Sequence, residues 1–287
     1  MIILPIFIFF LAVIIHDVYF PRPKEYRFSS RKMKKPIRFA LISDLHNFQF
    51  GKANSRLVKA ILKEAPDAVL IAGDLLTAER HADEAPSMAL LEGLRKEGLP
   101  VIMALGNHEQ RMLEEWAEED GDRRCEDFLS NARRLGVNIL QNENMLLEEF
   151  GVNIIGLQFP MALYEKKFFQ NSSLINSLSK EGLEKFVGKP DANAFNILIA
   201  HDPERFDTYD AWGPDLTLSG HMHGGVIRFP FLGGLISPSW EIFPKYSGGR
   251  YEGRNGTLIV SRGVGVHTLP VRVFNPSEIV VVELRKR

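Results

Sequence analysis

Five short polar clusters each follow an apolar run: Asp44-Leu45-His46, Gly73-Asp74, Gly106-Asn107-His108-Glu109, His201-Asp202 and Ser219-Gly220-His221-Met222-His223-Gly224-Gly225. Imidazole with carboxylate suits Mn, Fe or Zn, and the lack of thiolates argues against a structural zinc site. In D-x-H and H-x-H both ligands fall on one side of an extended segment, so both can reach the same cluster. Gly73, Gly106 and Gly220 precede the polar residues at sharp turns. Gly224 and Gly225 follow them, where close backbone approach to an anion is useful. Each cluster alone is weak, since a lone D-x-H arises by chance and GNH can be only a turn. Jointly they take up five of the eight histidines, His46, His108, His201, His221 and His223. His16, His81 and His267 have no motif around them and read as ordinary histidines. The chemistry favours two metals.

The elements that must position these groups alternate. Strands are expected at Ile37–Ser43, Ala68–Ala72 and Pro100–Leu105, and amphipathic helices at Ala53–Glu64 and Glu84–Lys96. That order implies parallel pairing with right-handed crossovers. Residues 109–135 read as a charged helix. Further strands are expected at 137–140, 144–149, 152–157, 195–200, 215–218, 257–261 and 278–284. Several are joined by short connections, so the sheet of the second half should be mixed. In an open α/β sheet, ligands bind beyond the carboxyl ends of the strands, which is where all five clusters lie. The spacing therefore predicts one α/β domain with two sheets and one shared site.

The series SDLH, GD, GNHE, HD and GHMHGG resembles the calcineurin-like metallophosphoesterase superfamily from Ile37 to about Ile227. The ending SRGVGVHTLPVRVFNPSEIVVVEL is similar to its membrane-associated bacterial branch, often described as phosphodiesterases. The resemblance implies an αββα sandwich of two mixed β-sheets with a dinuclear metal site at the strand ends. By matching position, it implies one divalent ion on Asp44, His46, Asp74 and His223. It implies a second on Asp74, Asn107, His201 and His221, with Asp74 bridging. His108 is implied as the catalytic histidine that is not a ligand. The implied reaction is hydrolysis of a phosphomonoester, phosphodiester or pyrophosphate by a hydroxide bridging the two metals. The family most often has Asp after that histidine; here Glu109 stands, able to orient His108 through a longer reach. Arg272 can approach a substrate phosphate or serve as a structural salt-bridge partner. Asn47 and Phe48 after SDLH have no reading.

Composition and charge set the surroundings. With 287 residues, 45% apolar and 25% charged, the chain cannot be disordered or collagen-like. A net charge of −1 gives no global basic field for nucleic acid. The single cysteine, Cys125, excludes an internal disulfide and has no nucleophilic context. Charge is unevenly placed. Residues 1–15 carry none, whereas Arg22 to Arg38 hold eight basic residues against Glu25 alone. Residues 1–20 are expected to form a hydrophobic membrane anchor helix, 21–36 a basic linker and 37–287 the catalytic domain. Positive flanks stay inside, which places that domain in the cytoplasm at the cell membrane. A cleaved signal peptide and a buried core helix are the competing readings.

A lipid-linked or membrane-proximal phosphoester is favoured by the anchor, the basic stretch and the apolar segment Phe229 to Ile236. That segment is either exposed surface beside the site or a buried loop core. A nuclease of the same superfamily is the second reading. Nine acidic against three basic residues between Glu109 and Asp127 oppose it. A metal-free scaffold on the same fold is the third, and the presence of every matching position opposes it.

Overall fold

The computed structural model describes all residues except 1–2, 165–178, 226, 230–232, 237–241 and 267–269. His267 and part of the Phe229–Ile236 segment fall outside the described residues. Every strand expected from the sequence is present. The first sheet contains β1 (Arg22–Ser30), β2 (Ile37–Ile42), β3 (Ala68–Ala72), β4 (Val101–Ala104), β5 (Asn138–Leu140) and β14 (Glu278–Lys286), in the order β1-β14-β2-β3-β4-β5. The second contains β6 (Glu143–Leu147), β7 (Val152–Leu157), β8 (Phe195–Ala200), β9 (Leu216–Ser219), β12 (Gly249–Glu252) and β13 (Thr257–Val260), in the order β12-β13-β9-β8-β7-β6. Both sheets are mixed. β2, β3, β4 and β5 run parallel while β14 opposes β2, and β7, β8, β9 and β13 run parallel between antiparallel edges. β10 (Arg228–Phe229) and β11 (Gly233–Gly234) form a small separate hairpin.

Strand alternation builds the layers. On β2, Phe39 and Leu41 turn with Leu70 of β3 toward the second sheet, into one cluster with Ile154, Ile197 and Leu218. Ala40 and Ile42 turn outward to α2 (Ser55–Lys63), α3 (Ala85–Lys96) and α6 (Arg124–Arg134), against Leu57, Ile61, Leu91 and Phe128. The second sheet's outer face, with Leu198 and Val260, is covered by α7 (Lys180–Val187) and α8 (Phe206–Trp212) through Leu183, Tyr209 and Trp212. Helices thus cover both outer faces of a sheet pair.

Three expectations need correction. The charged helix over 109–135 is broken. It runs as α4 (Asn107–Arg111), a π-helical segment Met112–Trp116 and α5 (Ala117–Asp120), then stops at Gly121 with φ +65°. The Asp122 carboxylate accepts the Arg124 N–H and starts α6 anew. Second, the basic linker is not a linker over 22–30. It is β1, parallel to β14, with Tyr26 and Phe28 half-buried against the core. Arg27 and Arg38 reach Glu283 on β14, so the basic residues partly serve the sheet. Third, among the described residues no helix is long and apolar enough to cross a membrane. Helix α1 (Ile3–Tyr19) has 17 residues, about 26 Å at the usual rise. Its last turn carries the buried Asp17 and Val18, so less than that projects from the domain.

Candidate metal centre

The five polar clusters extend the C-terminal ends of β2, β3, β4, β8 and β9, and the two sheets bring these ends together. Three overlapping groups of potential ligands form there: Asp44, His46 and His223; His46, Asp74 and His108; and Asp74, His201 and His221. Asp74 is shared by two of them. His201 Nε2 lies 3.0 Å from Asp74 Oδ2, His46 Nε2 3.8 Å from the same oxygen, and His223 Nε2 3.6 Å from Asp44 Oδ1. His46 and His223 aim their Nε2 atoms at each other across 3.1 Å. Two imidazole nitrogens sharing one tetrahedral cation stand about 3.3 Å apart, given bonds of 2.0–2.1 Å. Asn107 Oδ1 and Asp44 Oδ2 are buried, with no hydrogen-bond partner among the described residues. Buried oxygens without partners are costly, and a cation would satisfy both. The donor set of imidazole, carboxylate and carboxamide therefore fits divalent metals.

The backbone here is held in sparsely populated conformations. Asp44, His46, Asp74, His221 and His223 all have φ between +50° and +69°. Such strain collects at functional sites. At Gly106 a Cβ would stand 2.1 Å from Asp74 Oδ1, so no larger residue fits beside that carboxylate. Asp74 Oδ1 accepts the His108 N–H and Asp44 Oδ1 accepts the His221 N–H, both at 2.9 Å, which fixes both carboxylates.

Two histidines flank Asp74 with opposite roles at Nδ1. His201 Nδ1 donates to the Ala72 carbonyl at 2.6 Å, which leaves Nε2 with its lone pair toward Asp74 in the neutral ring. His108 Nδ1 instead accepts the Ala78 N–H at 2.7 Å. Its proton is therefore on Nε2, 4.0 Å from Asp74 Oδ2 and directed at the site. A protonated Nε2 cannot bind metal but can donate a hydrogen bond to a charged oxygen.

Charge is tightly balanced. Burial works to raise Asp74, yet His201, His108 and His46 hold it well below the carboxylate range. Burial opposes charge on His201 too, but Asp74 and Asp44 lift it to about 10. Burial pushes Asp44 up to about 6, with Asp74 adding to the shift and His201 opposing it. Protons and a divalent cation compete for these groups, so metal binding would release protons.

Sequence reasoning missed how the centre is braced. Glu109 is fully buried and accepts backbone N–H groups from Asp74, Leu76 and Gly106, at 2.8–2.9 Å. It does not orient the His108 ring, which Ala78 holds; it ties the β3 end to the β4 end. Burial, then Asp74, raises its carboxyl to about 7. Arg272 is buried and donates to the carbonyls of Gly265, Arg262 and Asn275, so its role here is structural. Asn47 accepts the Ser87 hydroxyl and donates its N–H to Leu75, joining the SDLH loop to α3. Phe48 packs on Tyr19 and Phe50.

The sequence profile of the calcineurin-like phosphoesterase family matches residues 37–225. A metallophosphoesterase of Helicobacter pylori is 28% identical over 268 residues, 92% of this chain and 64% of that protein. The chain thus spans just under two thirds of that relative's length. A metallophosphoesterase of Aquifex aeolicus is 26% identical, covering 94% of each chain. The phosphodiesterase YaeI of Escherichia coli is 22% identical over 80% of this chain and 76% of its own. The match covers four strands of each sheet and all five polar clusters, and the chain belongs to the calcineurin-like phosphoesterase family.

Proposed function

We propose that this chain is a dinuclear metal-dependent phosphohydrolase that acts on a phosphomonoester, phosphodiester or pyrophosphate close to a membrane. One cation is assigned to Asp44, His46, Asp74 and His223, the other to Asp74, Asn107, His201 and His221. When bound, two such ions lower the pKa of water and offset charge on the phosphate oxygens. The observation that carries the reading is the contrast beside Asp74: His201 Nδ1 donates to a carbonyl, which leaves Nε2 as the atom free to take a cation in place of a proton, while His108 Nδ1 accepts an N–H, which keeps a proton on Nε2. Asp74 offers Oδ2 to the centre because Oδ1 is held by the His108 N–H. His108 Nε2–H donates to the leaving oxygen, and Ala78 keeps the ring in that tautomer. The test is hydrolysis of p-nitrophenyl phosphate and bis-p-nitrophenyl phosphate with Mn²⁺. The account expects turnover of at least one, and the ratio of rates separates monoesterase from diesterase. No turnover of either, with no bound metal, would favour a scaffold.

Membrane proximity is supported by α1. Leu4, Phe7, Phe9, Phe10 and Leu11 are exposed, at 42–65%. So are Phe274, which packs on Phe10, and Phe229, Ile242 and Phe243 from the segment after the GHMHGG ligands. A β-bridge between Ile227 and Val273 joins the Phe229 and Phe274 segments. We place this apolar surface in the membrane, with the +7 segment at anionic headgroups and the phosphoester on a lipid-linked substrate. The catalytic domain is placed on the cytoplasmic side.

A further inference from the structure

The last turn of α1 meets the backbone of the metal-ligand loop through two hydrogen-bonded steps. Asp17 is 5% exposed, and its Oδ2 accepts the Asn275 N–H at 2.9 Å. The Asn275 side-chain amide, fully buried, then donates to the carbonyls of His223 and Gly225, the former at 2.7 Å. Ser277 completes the clamp. Its N–H donates to the Asp17 carbonyl at 2.7 Å, and its hydroxyl lies 3.0 Å from the carbonyls of Asp17 and Val18. The fit is close: a Cβ at Gly224 would lie 2.3 Å from Asn275 Oδ1. The loop so held carries His221 and His223 at φ +69° and +50°, conformations that persist only when neighbours enforce them.

We propose that Asp17, on the apolar N-terminal helix, is a positioning residue for the metal centre, acting through Asn275 on the backbone of the His221–Gly225 loop. The proposal rests on the reading of His221 and His223 as metal ligands and goes beyond it. The N-terminal helix is then part of the support of the centre as well as a membrane element. A change in how the helix is seated is felt at both ligands.

The experiment uses the full chain and Mn²⁺ as probe. Mn²⁺ affinity is read by calorimetry, and loop order by hydrogen exchange of the amides of 221–225. Asp17→Ala and Asn275→Ala are expected to weaken Mn²⁺ binding about 10–100-fold, the range for groups that orient ligands, and to speed exchange in the loop. Asp17→Asn keeps an oxygen acceptor for the Asn275 N–H and is expected to stay within about threefold of wild type, on the same scale. Leu11→Ser, on the exposed part of α1, is expected to leave affinity unchanged. Ser277→Ala removes only the hydroxyl donations, and a smaller shift of the same sign is expected even where Asp17→Ala fails to fold. Unchanged affinity and loop exchange in Asn275→Ala and Ser277→Ala, with a wild type that binds two Mn²⁺, would overturn the proposal. A wild type that binds no Mn²⁺ would instead overturn the metal-centre reading, and loop exchange would still report on the link from Asp17.

Discussion

His201 and His108 both stand beside one carboxylate and are both held by the backbone at Nδ1, but His201 donates there to a carbonyl and His108 accepts an N–H. That difference divides ligand from hydrogen-bond donor. His108→Ala should therefore keep both metals and lower kcat by roughly 10²–10³-fold, the usual worth of one hydrogen bond to developing charge. Kinetics paired with elemental analysis checks this; loss of metal would show that the role is misassigned. Asp74→Ala removes the shared carboxylate and should bring the metal content well below two per chain. Glu109→Ala leaves three buried N–H groups without an acceptor. A loss of about 3 kcal/mol or more in stability is expected from thermal or urea melts. Cys125 is buried with its thiol pushed far up by burial and Glu109, so it should resist a thiol reagent until the chain unfolds. The ligand types and their strand-end positions were legible because H-x-H and D-x-H spacing is local. The tautomers, the left-handed ligand backbones and the three donors to Glu109 were not, because each depends on a carbonyl or amide from another strand.

At the scale of elements, the buried strands declared themselves as apolar runs, AVLIA on β3 and ILIA within β8. β1 did not, because RPKEYRFSS alternates charged residues with only two aromatics and begins beside prolines. It is an edge strand, so only one side of its backbone is paired and only Tyr26 and Phe28 face inward. The helix break at Gly121 was hidden by a charge-rich stretch without a strong apolar period. Removal of residues 1–36 should thus lower the melting temperature by exposing β14 and withdrawing Tyr26 and Phe28. Removal of residues 1–20 should preserve the sheet and act on metal binding through Asp17. Melting curves for the two truncations separate a strand from a linker, since a linker would give equal values.

For the whole molecule, the net charge of −1 is a cancellation between a basic segment and an acidic remainder. Arg22 of the basic segment lies beside α1, 3.0 Å from His16 Nε2, and the acidic ligands lie at the strand ends of the sandwich. Replacing Phe7 and Leu11 together with Ser should weaken binding to anionic vesicles roughly 10²–10⁴-fold, at about 1.5–3 kcal/mol per buried side chain. Co-sedimentation measures this, and equal pelleting of variant and wild type would remove α1 from the membrane. The sequence disclosed the apolar run and the charge cluster; it did not disclose that the run ends inside the domain, pinned by Asp17 and Ser277. The catalytic and ligand expectations depend on a centre that holds two cations. Elemental analysis of the purified full chain after equilibration with Mn²⁺ tests that most directly. The account predicts close to two Mn per chain, and a ratio close to zero would contradict it.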